Sequence, residues 1–263
     1  MHNKIMIAFA FLLVMAVSAF AQEMTAQEIV QKANLASYYA GQDGTADVAM
    51  VITDAQGRER KREMRILRYD QQDGGEQKYY VYFFEPADVS KMVFMVWKHL
   101  DKDDDRWLYL PALDLVRRIA ASDKRSSFVG SHFVYEDVSG RGIEADTHTL
   151  ISEDEQYYRI KNVPKDKGNV EFAYYDVWIN KENFLPVKAE YFDVKDELIR
   201  LVEATDIQTI QGYPTVMTSV AKDLVRGGST TMTFNNVQYD AGIEENIFEE
   251  RYLRRPPVKW IRK

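Results

Sequence analysis

The 263-residue chain carries 34 lysines and arginines against 41 aspartates and glutamates, a net charge of −7, and no cysteine. That balance argues against nucleic acid as the main partner. The lack of thiols excludes disulfides, cysteine metal sites and a cysteine-linked lipid anchor, so the fold must stand on its core alone. Aromatic residues make up 13% of the chain, with 16 Tyr and 13 Phe, and fall mostly in short extended segments that can supply a large β core.

The first residues read as a secretory leader: Lys4 supplies the positive start, residues 5–17 an apolar run, and Ala19-Phe20-Ala21 a small-residue cleavage site. Cleavage is expected after Ala21. The apolar run is shorter than the ~20 residues a membrane-spanning helix needs, and no later segment approaches that length. About 242 residues then remain, 22–263, without a Pro/Gly/Ser-rich linker or a fixed-period repeat. A single exported domain is expected.

In chain order, residues 25–40 read as a helix. Thr25 and Glu28 form a capping box, Met24 can staple onto Ile29, and Ile29, Ala33, Ala36 and Ala40 recur on one face. From Thr45 the period changes to two, with Ala46, Val48, Met50 and Ile52 on one face of a strand. A turn at 54–57 returns the chain as a second strand over 58–68. Segments 78–84 and 92–97 are apolar on both faces, so both faces must be covered. After a turn at 101–105, strands are expected at 106–110 and 114–119. Residues 126–138, with Phe128, Phe133 and Tyr135 around Gly130-Ser131, suggest short helices or an ordered loop that can act as a lid. Segments 147–152, 157–163, 170–180, 185–193, 198–207, 215–223 and 230–239 read as further strands, and 244–252 as a last helical turn. So many strands in one antiparallel meander exceed what an open twisted sheet carries without curling. The N-terminal helix and the 126–138 segment are the natural plugs for the concave face, and a plugged barrel encloses a cavity.

Catalytic and metal chemistry finds little support. The acidic run Asp101, Asp103, Asp104, Asp105 lacks the glycine and distal glutamate of a calcium loop and reads as a solvated hairpin tip. His99, His132 and His148 do not stand at zinc spacings, and Gly130-Ser131-His132 is no nucleophile elbow. No metal, cofactor or catalytic residue is assigned. Arg117-Arg118, followed by Lys124-Arg125, can recognise a carboxylate or phosphate or form a solvated strand edge. Strand alternation allows only one of Arg117 and Arg118 to face inward. Trp97, Trp107, Tyr109, Phe128, Phe133 and Tyr135 are the candidate cavity and lid residues, each by default a core residue. The basic end, from Arg251 to Lys263, suits transient contact with an anionic membrane or a frayed solvated tail.

The stretch DDDRWLYLPALDLVRRIAASDKRSSFVGSHFVYED, preceded by FFEPADVSKMVFMVW, resembles the outer-membrane lipoprotein-sorting protein family, LolA-like proteins related to the LolA/LolB lipoprotein carriers. The resemblance implies a mainly β (α+β) fold, an unclosed antiparallel β-barrel of roughly eleven strands with helices plugging its concave face. It also implies a periplasmic, non-enzymatic carrier or chaperone that shields the acyl chains of lipoproteins or other lipids in transit toward the outer membrane. A monomer working with an inner-membrane transporter of the resistance-nodulation-division (RND) type is the expected partner arrangement. The alternative it leaves open is a periplasmic sensor or regulatory module of the same fold, bound to a membrane signalling partner.

Overall fold

The computed structural model describes residues 23–262; the leader expected at 1–21 lies outside them. The first described element is helix α1, Ala26–Tyr38, whose start is the capping box expected from sequence: the Glu28 amide donates to Thr25 Oγ1 and the Thr25 amide to the Glu28 carboxylate. Six strands follow as hairpins: β1 Asp43–Thr53, β2 Glu59–Asp70, β3 Gln77–Glu85, β4 Val93–Lys98, β5 Asp105–Leu110 and β6 Leu115–Arg118. After an interlude that contains only the short helix α2, Tyr135–Ser139, and three-residue 3-10 turns, seven more strands run on. They are β7 Asp146–Glu153, β8 Tyr157–Pro164, β9 Tyr174–Asn180, β10 Pro186–Phe192, β11 Leu198–Ile210, β12 Tyr213–Asp223 and β13 Ser229–Tyr239. Two single-turn helices, α3 Arg251–Arg254 and α4 Val258–Ile261, close the described chain.

All thirteen strands belong to one antiparallel sheet of order β6-β5-β4-β3-β2-β1-β13-β12-β11-β10-β9-β8-β7. That is an unclosed sheet with two strands more than the roughly eleven implied by the resemblance; the four-residue β6 shows how short arms extend the ladder at an edge. β1 pairs with β2 over its whole length and, across a register shift near Asp47, with β13. The chain therefore starts in the middle of its sheet. The free edges are β6 and β7, neighbours in sequence at opposite ends of the ladder.

The two-sided apolar strands are covered as their composition demands. On β4, Phe94 and Val96 face the concave side, while Val93, Met95 and Trp97 face the convex side. The concave layer joins Val48, Met50 and Ile52 of β1, Phe83 of β3 and Phe94 to Phe128 and Phe133 from the 119–145 connection. The convex layer packs Leu67, Tyr80, Met95 and Trp107 against Ile243, Ile247, Phe248 and Leu253 from the C-terminal segment. Trp97 Nε1 donates to the Phe248 carbonyl at 2.8 Å and the Tyr80 hydroxyl to the Tyr252 carbonyl at 2.8 Å, fastening that segment across β3 and β4. The C-terminal region up to Ile261 is thus a convex cap and not a frayed tail. A third cluster sets Ile29 and Ala33 of α1 on Ile160 of β8 and Ile179 of β9.

Truncating a fully buried Phe typically costs about 3–5 kcal/mol. Phe248→Ala is expected to lower the unfolding free energy by that amount in urea denaturation, because it empties the cap beside Tyr69. A loss under about 1 kcal/mol would mean that the segment rests on the sheet without stabilising it.

Candidate ligand cavity and its lid

Because β6 and β7 are opposite edges, residues 119–145 have to cross the open side of the half-barrel. The crossing is anchored at successive strands. Ile119 donates to the Arg106 carbonyl on β5 at 3.0 Å and is buried in the concave layer. Phe128 sits against Phe83 and Phe94, with ring centroids 5.9 and 5.5 Å away. The His132 amide donates to Thr230 Oγ1 on β13 at 3.0 Å. Asp137 pairs with Arg200 on β11, and Arg141 with Asp146 on β7. Between these anchors, hydrogen bonds from Phe128 N to the Phe133 carbonyl (2.8 Å) and from Ser131 N to the Phe128 carbonyl (3.0 Å) close a compact tip. Val129 and Gly130 turn it with φ of 45° and 79°. Glycine accepts that conformation, whereas a β-branched residue there costs on the order of 1–3 kcal/mol.

Beneath this lid lies a cavity of about 500 Å³, open at one side and lined by α1, the lid and the concave faces of β1–β3 and β7–β13. The inward side chains explain where it forms. Along β1 they run Ala46, Val48, Met50, Ile52; the last three fill the solid core under Phe128, and Ala46 leaves space. On β10, Val187 and Ala189 likewise stop short of the opposite wall, and Ala33 and Ala36 keep the facing side of α1 thin. Space therefore follows small residues at one end of the strands and ends where Met64, Met232, Phe128 and Phe133 meet. The volume lies within the roughly 300–1,000 Å³ of ligand pockets.

At the lid's second half the wall turns polar. Arg141 holds Asp146 through two 2.8 Å hydrogen bonds and reaches Glu136 at 3.2 Å. Arg125 donates to Glu136 at 3.3 Å and to Glu171 at 3.1 Å, with its guanidinium 5.1 Å from the Phe172 ring centre. The Tyr175 hydroxyl donates to Asp146 at 2.7 Å, Tyr175 stacks on Tyr191 at 5.0 Å, and Arg200 lies 4.8 Å over Tyr191. Burial pushes the Glu136 carboxyl up, but Arg141, Arg125 and Lys124 outweigh it and hold its pKa below the ordinary range. Burial of Glu171 is likewise overcome, by the hydrogen bond and charge of Arg125. Arg125 and Arg141 are shifted upward despite their own burial, through Glu171 and Asp146 respectively. Three lid residues, Arg125, Asp137 and Arg141, are thereby latched to the loop before β9, to β11 and to β7, while Glu136 ties Lys124, Arg125 and Arg141 together within the lid.

The residues singled out from sequence separate into two groups. Phe128 and Phe133 line the cavity, and Tyr135 stands behind them in the concave core, 5.6 Å edge-on to Phe128. Trp97, Trp107 and Tyr109 are on the other side of the sheet, under the C-terminal cap, because strand alternation that turns Phe94, Val96 and Leu108 inward turns these three outward. Neither Arg117 nor Arg118 reaches the cavity; of the two readings open to them, they take that of the solvated strand edge. Their side chains are 60% and 65% exposed, with Arg117 3.7 Å from Asp123 and Arg118 paired with Asp105 and stacked on Trp107. On a free edge strand such charges block pairing with another chain. The inward-facing cation of that neighbourhood is Arg125. Sequence reasoning missed the latch, whose acids and arginines come from separate segments; its legible trace was Glu136-Asp137 directly after the aromatic lid. It also missed the alanines that make the space.

A family model described as an uncharacterized protein matches residues 75–255, more than half of the chain. No curated protein matches the chain. Among solved structures, a DUF1329 family protein from Desulfovibrio piger is 27% identical with a TM-score of 0.79, covering 87% of this chain and 97% of that one. A structure from Vibrio parahaemolyticus described as an outer membrane lipoprotein-sorting protein domain is 29% identical, also with a TM-score of 0.79, covering 88% and 98%. A LolA superfamily protein from Nitrosomonas europaea shares the fold at 20% identity and a TM-score of 0.68, covering 88% and all of its own chain.

Removing one partner of a buried ion pair costs about 3–5 kcal/mol. Glu136→Gln is expected to destabilise the protein by that amount at pH 7 in urea denaturation. The wild-type advantage is present above the ordinary glutamate value of 4.5 and disappears as pH falls through the depressed pKa of Glu136. Equal stability of the two proteins at pH 7 would show that Glu136 does not hold the lid's arginines in their latched positions.

Proposed function

We propose, for a chain that belongs to the family matched over residues 75–255 and is similar to an outer membrane lipoprotein-sorting protein domain, that it is a periplasmic carrier that shelters the acyl chains of lipoproteins or other lipids. The observation that carries this reading is the apolar cavity of about 500 Å³ under a lid that is a separate stretch of chain from the strands beneath it. In this reading residues 1–21 are an export leader cleaved after Ala21, and 22–263 work as one domain.

The chemistry of the cavity is that of shelter and not of reaction. Each methylene withdrawn from water contributes about 0.8 kcal/mol, so a dozen amount to roughly 10 kcal/mol. Loading and release then depend on opening: the lid swings on its ends, and the ion pairs of the latch are exchanged for water. A receptor that binds the open state better than the closed one discharges the cargo without a cofactor or nucleotide. An inner-membrane transporter of the RND type is the proposed loading partner, with transient contact at the membrane surface. Phe128 and Phe133 serve as the apolar underside of the lid, with Tyr135 buttressing Phe128.

Protein purified from its native host is expected to release lipid in native mass spectrometry, and a fluorescent acyl probe is expected to bind and be displaced. Phe133→Asp should weaken probe binding by ~tenfold or more, with folding followed in parallel by thermal denaturation. Empty protein with no affinity for any acyl probe would overturn the carrier reading; an unchanged affinity in the folded variant would remove the lid from it.

A further inference from the structure

The three arginines under the lid's second half are unequally paired. Arg125 places Nη1 on Glu136 and both Nε and Nη2 on Glu171, and Arg141 places Nη1 on Glu136 and both Nε and Nη2 on Asp146. Arg200, 8% exposed, uses Nη2 alone, toward Asp137 and the His132 carbonyl. Among the described residues its Nε and Nη1 are buried without a hydrogen-bond partner. Asp137 meets it with one oxygen, Oδ2, which also accepts the Val134 amide at 2.7 Å. A guanidinium presents its N–H groups as a fork that matches two oxygens of one carboxylate or phosphate. Arg200 therefore keeps the capacity for an anion that grips it through two oxygens instead of one.

The place that Asp137 holds on Arg200 is on the cavity wall. Asp137 and Tyr191 both line the cavity. Tyr191 on β10 stands opposite Arg200 on β11, so the two side chains share the concave face, and the guanidinium lies 4.8 Å over the ring. Tyr191 is 8% exposed. Neither its hydroxyl nor that of Tyr38, which lines the cavity from the end of α1, has a hydrogen-bond partner among the described residues. Burial pushes the pKa of both hydroxyls up, and the charge of Asp137 adds to the shift at both, against the opposing pull of Arg200 on Tyr191. Both stay proton donors beside the same carboxylate. The other carboxylates on this wall, Glu136 and Asp146, are already engaged by Arg125 and Arg141. Next along β10 and β11 the lining is apolar, with Val187, Ala189 and Val202. Free donors at one end and hydrocarbon walls beside them suit the head of an amphiphile better than a free ion.

We propose, resting on the carrier reading above, that this end of the cavity is an oxyanion site for the head of the cargo. The carboxylate or phosphate of an anionic lipid replaces Asp137 on Arg200 and accepts from the hydroxyls of Tyr191 and Tyr38, while its acyl part lies along Val187, Ala189 and Val202. In the empty protein the lid's own Asp137 occupies the site. A lipid with a neutral head fills the apolar walls but does not compete with Asp137, so the carrier selects by head charge.

Isothermal titration of the delipidated protein with palmitoyl lysophosphatidate, monopalmitoyl glycerol and inorganic phosphate tests this, the two lipids having the same chain and differing in head charge. The lysophosphatidate is expected to bind at least ~tenfold more tightly than the neutral lipid, and phosphate alone far more weakly than either. Arg200→Gln is expected to remove the preference and leave the affinity for monopalmitoyl glycerol within about twofold. Tyr191→Phe, which keeps the ring and loses only the hydroxyl, is expected to reduce the preference several-fold and decides the matter if the arginine variant fails to fold. Asp137→Asn is expected to tighten the anionic lipid and not the neutral one. Equal affinity for the two lipids, or a preference that survives unchanged in the folded variants, would overturn the oxyanion site and leave the carrier standing. Phosphate binding as tightly as the lysophosphatidate would overturn the assignment to a lipid head. Absence of binding by both lipids would overturn the carrier reading as well.

Discussion

Pairing of β1 with β13 places the first strand at the centre of the sheet and sends the chain outward to one edge before it returns from the other. The consequence is topological: β6 and β7 are consecutive in sequence yet separated by the whole width of the ladder. The stretch joining them has to span the open side of the half-barrel, and whatever it carries becomes the roof of the concave face. Thirteen strands at about 4.8 Å spacing form an arc of roughly 60 Å, too wide for its own side chains to fill the hollow. The fold therefore needs inserts, and it has two: the crossing at 119–145, and α1 held against β8 and β9 by Ile29 and Ala33.

The inserts are fixed by unlike forces, and the difference matters. At its first half the crossing is held by rings, with Phe128 among Phe83, Phe94 and Tyr135, contacts that gain from excluding water. At its second half it is held by Arg125, Asp137 and Arg141, paired to Glu171 just before β9, Arg200 on β11 and Asp146 on β7. Buried ion pairs contribute little net stability compared with an apolar replacement, since desolvation offsets their attraction. They do define one closed position, and water entering an opening lid can satisfy them again. A roof glued throughout by apolar contacts would be harder to lift. The cavity lies between α1 and this crossing, next to the polar half.

Much of this was legible in the sequence. The two-sided strands 78–84 and 92–97 required cover on both faces, and Phe83 and Phe94 within, with Tyr80 and Met95 without, show that cover. The capping box at Thr25 and the aromatic crossing around Gly130 stand where the pattern puts them. The face of an aromatic strand was not legible: Trp107 and Tyr109 have the composition of a cavity wall, and only the parity of β5 relative to Leu108 turns them toward the C-terminal cap. Nor was the role of Arg117 and Arg118, because an edge strand is defined by the absence of a neighbour that sequence does not reveal. The latch escaped for a related reason. Arg125, Asp146, Glu171 and Arg200 are dispersed over 76 positions of the chain, and nothing in the spacing announces their convergence. The cavity itself is a lack of side chains, signalled by ordinary alanines at 46 and 189.

In the proposed carrier, residues 119–145 open as a unit over a sheet that stays folded. Native-state hydrogen exchange at Phe128, Ser131 and Tyr135, compared with β1, β2 and β13, measures this most directly. The lid amides are expected to exchange through an opening several kcal/mol easier than global unfolding, and to slow markedly when an acyl ligand is bound. Lid and central strands exchanging together, at the free energy of global unfolding and with no response to ligand, would contradict it.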